Sequence, residues 1–184
     1  MQLLLSALCL TICLSFVCGS VEDDLWFAAK QRNNETGIFR SSRVHVLRLN
    51  PDEDLLSSLW RYARVTNIHA ASIVSVVGSL VKTNLRYADQ STPTSLVGHF
   101  EIVSVVGNID FQTDSSTDSG HVHLSCSDEN GVTVGGHLLE GNIIYTTAEI
   151  TLLEIVDGEF KRVLDDGIDG SGYYELEVEH RVPN

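Results

Sequence analysis

The sequence predicts an α+β fold, with a largely antiparallel β-sheet and one main amphipathic helix. Between Arg43 and Val178 most stretches are β-branched and aromatic, with side-chain character alternating every second residue. Gly- and Asn-containing turn signals separate them. A capped helical period appears once, just after Asn50, and the strands cluster rather than alternating with helices.

Taken in order, the chain opens on a leader. Leu3 to Val17 is nearly all apolar and is followed by Cys18-Gly19-Ser20. That length suits a signal peptide over residues 1–19, with Val17 and Gly19 at the −3 and −1 positions of the cut, and no later stretch approaches membrane length. The mature chain is therefore expected to be secreted. Cys9, Cys13 and Cys18 leave with the leader, so Cys126 remains without an intrachain partner and is expected to be a buried thiol. Roughly 165 residues are left, ample for one domain with its own core.

Residues 20–42 form an N-terminal extension in which Leu25-Trp26-Phe27 suits a short helix or turn packed onto the body. Asn34-Glu35-Thr36 is an N-glycosylation sequon. Arg43 to Leu49 alternates as a strand. The helix then starts at Asn50 as N-cap, with Pro51 in the first position and Glu53 closing a capping box. Leu55, Leu56, Leu59, Trp60 and Ala63 make its apolar stripe. Strands are predicted over 70–77, 80–87, 96–105, 120–126, 132–138, 143–156 and 173–178, with turns at Gly78-Ser79, Gly107-Asn108, Asn130-Gly131 and Asp157-Gly158. Gln112 to Ser119 is a polar loop, and residues 179–184 are a tail.

Charge narrows the partners. The formal net charge is −13, Lys and Arg are scattered, and no basic tail or polybasic patch exists. Nucleic acid and anionic membrane both call for a basic face, so neither is expected as a partner.

The chemistry concentrates in Gly120 to Gly141. His121 and His123 are two apart, so on a strand both point to one face, while Val122, Leu124 and Cys126 point to the core. A three-residue loop Glu129-Asn130-Gly131 pairs Asp128 with Val132 and puts His123 opposite His137, with all three imidazoles on one face. A two-residue loop puts His137 on the other face, and a bulge at Gly135-Gly136 re-aims it. Three converging imidazoles are the usual protein share of an open zinc site, whereas paired strand histidines are as often half-exposed polar residues.

Glu101 lies in an apolar strand where a lone carboxylate is costly. It is a candidate general acid/base or fourth ligand, a structural partner of Arg43, Arg48 or Arg86, or a solvent-facing residue. His45 and His99 read as structural histidines, and Glu140 as a group supporting the third histidine. No nucleophile elbow, phosphate loop or dinucleotide fingerprint is present, and Asp165 to Gly170 lacks the spacing of a full calcium loop.

Arg43-Val44-His45-Val46 with the following helix, Val76-Val77-Gly78-Ser79-Leu80, Gly98-His99-Phe100-Glu101-Ile102, Gly120-His121-Val122-His123 and Gly135-Gly136-His137-Leu138-Leu139-Glu140-Gly141 resemble, in order, the motifs of the plants and prokaryotes conserved (PPC) domain. The resemblance covers residues 43–178. It implies an α+β fold similar to the acetolactate decarboxylase group, a homotrimer, and zinc on His121, His123 and His137. A related zinc-dependent ester hydrolase shares the pattern. Plant members bind DNA through added AT hooks; this chain has no Arg-Gly-Arg-Pro hook and is acidic. The expectation is a secreted protein with a three-histidine zinc site and a binding or assembly role. The alternative is a zinc-dependent hydrolase or decarboxylase acting on a small ester or an oxo or hydroxy acid, with Glu101 as acid/base. DNA binding by family analogy comes last.

Overall fold

The computed structural model describes residues 21–110, 119–167 and 170–181. The leader and all but the end of the Gln112–Ser119 loop lie outside the described residues. The chain divides into two compact units, residues 1–37 and 38–184. In the first, helix α1 (Val21–Arg32) contains the Leu25-Trp26-Phe27 triplet. Glu22, Asp23 and Asp24 sit in its first turn and Lys30 and Arg32 in its last, matching the ends of the helix dipole.

The second unit holds strands β1 (Ser42–Leu49), β2 (Ala71–Arg86), β3 (Thr94–Asp110), β4 (Ser119–Ser127), β5 (Thr133–Leu138) and β6 (Ile143–Ile155), with helix α2 (Leu55–Thr66) between β1 and β2. The six strands form one antiparallel sheet in the order β1-β6-β2-β3-β4-β5. The end of β2 also pairs with β5, Leu85 opposite Leu138 and Arg86 opposite His137, so the sheet curls until it meets itself. A separate hairpin, β7 (Gly158–Leu164) with β8 (Tyr174–His180), completes the unit. No helix among the described residues is long and apolar enough to cross a membrane.

The core lies between one sheet face and α2. Leu55, Leu56, Leu59 and Ala63 of the helix are buried against Leu80, Ile102, Val105, Leu124 and Ile150, among others. Burying side chains of this kind contributes about 1.5–3 kcal/mol each. Cys126 is fully buried in the same core, and burial pushes its thiol pKa up, as suits an inert thiol.

Three sequence expectations are corrected. Asn50 does not cap the helix. Its N–H is held by the Glu53 carboxylate, as in a capping box, but Asp52 takes a left-handed φ of 70°. Residues 52–55 bond instead to Asn142 and Ile144 at the start of β6, and α2 begins only after Asp54. Asp54 accepts the Ser57 N–H at 2.8 Å as the true cap, and its second oxygen accepts from Gly141 at 2.6 Å.

Gly78 and Gly107 mark no turns; each lies inside a single long strand. A Cβ at either would stand 2.0 Å from a carbonyl oxygen of the neighbouring strand, of Thr147 and His121 respectively. These glycines permit close approach. The third correction is β7, which sequence reasoning missed altogether.

A buried asparagine holds the curl closed. Asn142 is 0% exposed and its amide is fully used. Its Oδ1 accepts from the Thr83 hydroxyl and the Asn84 N–H, and its Nδ2 donates to the carbonyls of Asn84 and Leu139. Replacing it by Ala strands several buried groups, each costing about 1–3 kcal/mol. Asn142→Ala is expected to lower stability by about 3 kcal/mol or more in urea titration, well beyond Asn84→Ala at the partly exposed neighbour.

Candidate metal centre

The centre is positioned by the turn between β4 and β5. The Asp128 N–H donates to the Val132 carbonyl at 3.0 Å, and its carboxylate accepts the N–H groups of Asn130 and Val132, both at 2.9 Å. Gly131 takes a φ of 77°. This is the three-residue loop expected, and it sets His123 directly opposite His137. Gly135 and Gly136 lie within the ladder and do not re-aim the histidine. A Cβ on Gly136 would meet the Arg86 carbonyl at 2.7 Å, so the pair lets β5 run close to β2.

The structure brings the three histidines together. Ring centroids of His121 and His123 are 4.9 Å apart, of His121 and His137 5.3 Å, and of His123 and His137 5.7 Å. One ring nitrogen from each lies within 4.8 Å of the others, and the Nε2 atoms of His121 and His123 are 3.1 Å apart. Ligands about 2.0–2.1 Å from a tetrahedral zinc stand roughly 3.4 Å from one another, so small side-chain rotations suffice. His121 and His123 are exposed and His137 is half-buried. The Nδ1 of His137 is buried with no hydrogen-bond partner. This donor set could hold a metal ion.

Burial and nearby charge favour the neutral form of two of the three histidines. Burial, then the Arg86 charge, pushes the His137 pKa down to about 4. Burial, then His123, lowers that of His121. Metal ligation requires neutral imidazole, so both shifts favour it.

A cleft of about 520 Å³ adjoins His137. Leu56 and Trp60 of α2 line it, with Val122, Leu138 and Glu140. The Trp60 Nε1 is likewise buried without a partner. Glu140 does not support His137; it accepts a bond from the Ser57 hydroxyl at 2.9 Å.

Within the chain, Glu101 lies away from the three histidines. It is exposed and paired with Ser127, whereas His123 is opposite Val106. Four residues of strand separate Ser127 from His123, about 13 Å. The apolar motif around Glu101 marked a strand whose register the sequence does not give. His45 and His99 each have partners away from the three-histidine cluster. His45 bonds Tyr62 at 3.0 Å and the buried Glu154 at 2.9 Å, and His99 stacks on Tyr145 at 4.0 Å.

Two residues beside the histidines were not foreseen as site residues: Arg86, opposite His137, and Arg162 of β7, which donates to Asn108 opposite His121. The alternation Glu159-Phe160-Lys161-Arg162-Val163 after the Asp157-Gly158 turn was the available signal for β7.

Fold and site thus define an α+β protein with an exposed three-histidine cluster able to hold a metal ion. Residues 37–156 match the Plants and Prokaryotes Conserved (PCC) domain, and the chain belongs to that family. A hypothetical protein from Salmonella cholerae-suis superposes with a TM-score of 0.71 at 34% identity, over 79% of this chain and 99% of that one. A metal-containing protein from Archaeoglobus fulgidus gives a TM-score of 0.64 at 24% identity, over 77% and 97%. The bifunctional protein GlmU of Synechococcus sp. (strain JA-3-3Ab) is 40% identical over 139 residues, 76% of this chain but 21% of that protein.

In metal-free protein the His137 imidazole takes up a proton near its ordinary pKa of 6.5 when unfolded, but only near 4 when folded. Between those values the unfolded state binds more protons, so this group lowers stability as pH falls from about 6.5 towards 4. With chelator present, Tm between pH 7 and 4.5 is expected to fall more steeply for the parent than for His137→Asn.

Proposed function

We propose that this PCC-domain protein acts in the secretory pathway as a homotrimer with zinc at His121, His123 and His137, binding a small ligand at the open coordination position. The convergence of three imidazoles beside a cleft carries this reading. No fourth protein ligand joins the cluster among the described residues. The metal-containing relative from Archaeoglobus fulgidus lends support. Zinc there would polarise a bound oxygen or lower the pKa of a bound water.

Self-association rests on the sheet face opposite α2. Val74, Val77, Val97, Val103 and Val106 are 55–81% exposed there, an apolar surface of the kind that marks an interface. The secretory assignment rests on the leader. The Asn34 sequon is its companion, and residue 34 is partly exposed in a left-handed turn after α1.

A second reading is catalytic: hydrolysis or decarboxylation of a small ester or an oxo or hydroxy acid. The open metal position favours it, although the Glu101 carboxylate is not in reach within the chain. DNA binding has the charge of −13 against it.

Elemental mass spectrometry of the purified mature protein is expected to give about one zinc per chain. Both His123→Ala and His137→Ala should lose it while keeping the parent's far-ultraviolet circular dichroism. A folded parent that takes up no metal after zinc is resupplied would end the metal reading. Light scattering should show three chains per particle, and Val97→Asp with Val77→Asp should give a monomer.

A further inference from the structure

In a chain of net charge −13, two guanidinium groups stand beside the histidine cluster. Arg86 is exposed on β2, directly opposite His137 in the ladder, and its side chain makes no hydrogen bond or ion pair among the described residues. Directly opposed residues on one sheet face have Cβ atoms about 4.5–5.5 Å apart, so Arg86 and His137 are near neighbours.

On the other flank, Asn108 is directly opposite His121. The Arg162 Nη2 donates to the Asn108 Oδ1, which brings the guanidinium over the histidine face. Arg162 is half-buried, and its Nε is buried with no partner. Both cations lie close enough to lower the proton affinity of His121 and His137, behind burial itself.

We infer that Arg86 and Arg162 form an oxyanion subsite flanking the three histidines, and that the ligand taken there is a small monocarboxylate. The inference rests on the metal reading above and names its ligand class. A carboxylate offers two oxygens, one for an open metal position and one for a guanidinium fork, whose planar donors match it. Asp110 and Glu175 face Arg162 and offset its charge, leaving Arg86 as the uncompensated cation, whose single charge a carboxylate matches.

The test uses the full mature protein loaded with cobalt(II) in place of zinc. Metal content is measured first, then the visible cobalt spectrum is followed during titration with acetate and, separately, inorganic phosphate. Acetate is expected to change the spectrum saturably and more tightly than phosphate. Arg86→Gln should weaken acetate about tenfold or more with cobalt content unchanged. Arg162→Gln should weaken it less. Acetate affinity equal to the parent's in both variants, or tighter phosphate than acetate, overturns the proposal. Failure to load cobalt would instead overturn the metal reading. Calorimetric titration of acetate into metal-free protein then decides the subsite: binding that depends on Arg86 upholds it, and no binding overturns it.

Discussion

Everything chemical in this molecule depends on the register of one hairpin. Side chains in a strand alternate faces with a period of two, so a slip of one residue between β4 and β5 would carry His137 away from its partners. Asp128 prevents the slip. Its carboxylate takes two backbone N–H groups of the turn, and its own N–H closes the loop to Val132. On the far side of β5, Asn142 ties the end of β2 to the chain just after β5. The strand bearing the third histidine is therefore fixed from both edges, and the imidazoles converge on rigid backbone.

The parts of this arrangement written locally were legible in the sequence. Asp128, Asn130 and Gly131 specify a three-residue loop by their own turn chemistry, and the spacing of His121 and His123 gives their shared face directly. The family resemblance rested on such local strings and held. What escaped was set by tertiary structure. Asn50 carries good N-cap chemistry, but pairing with β6 draws the segment away and leaves the cap to Asp54. Gly78 and Gly107 look like punctuation, yet each admits a neighbouring carbonyl into a continuous strand. Glu101 seemed suited to catalysis by type, and only the β3–β4 register shows it far along the strand. Arg86 and Arg162 are distant from the histidine motif in sequence and meet it through strand closure and the second hairpin.

The electrostatic design is uneven. In a chain of net charge −13, three imidazoles and two arginines gather in one small region. Burial lowers the proton affinity of His121 and His137, and the arginines reinforce that by repelling protons. A region that repels protons while offering lone pairs is well suited to a divalent cation. Once the cation is bound, the surplus positive charge turns the same region towards anions. Cation and anion would thus bind in sequence, each improving the environment for the next.

The second hairpin has a different consequence. The matched family segment ends at residue 156, and Arg162 lies beyond it on β7. The histidines stand on the six-stranded sheet, whereas this flanking cation comes from a separate two-stranded hairpin. Ligand preference can therefore be changed from the second hairpin, at a side chain that takes no part in holding the metal-binding face in register.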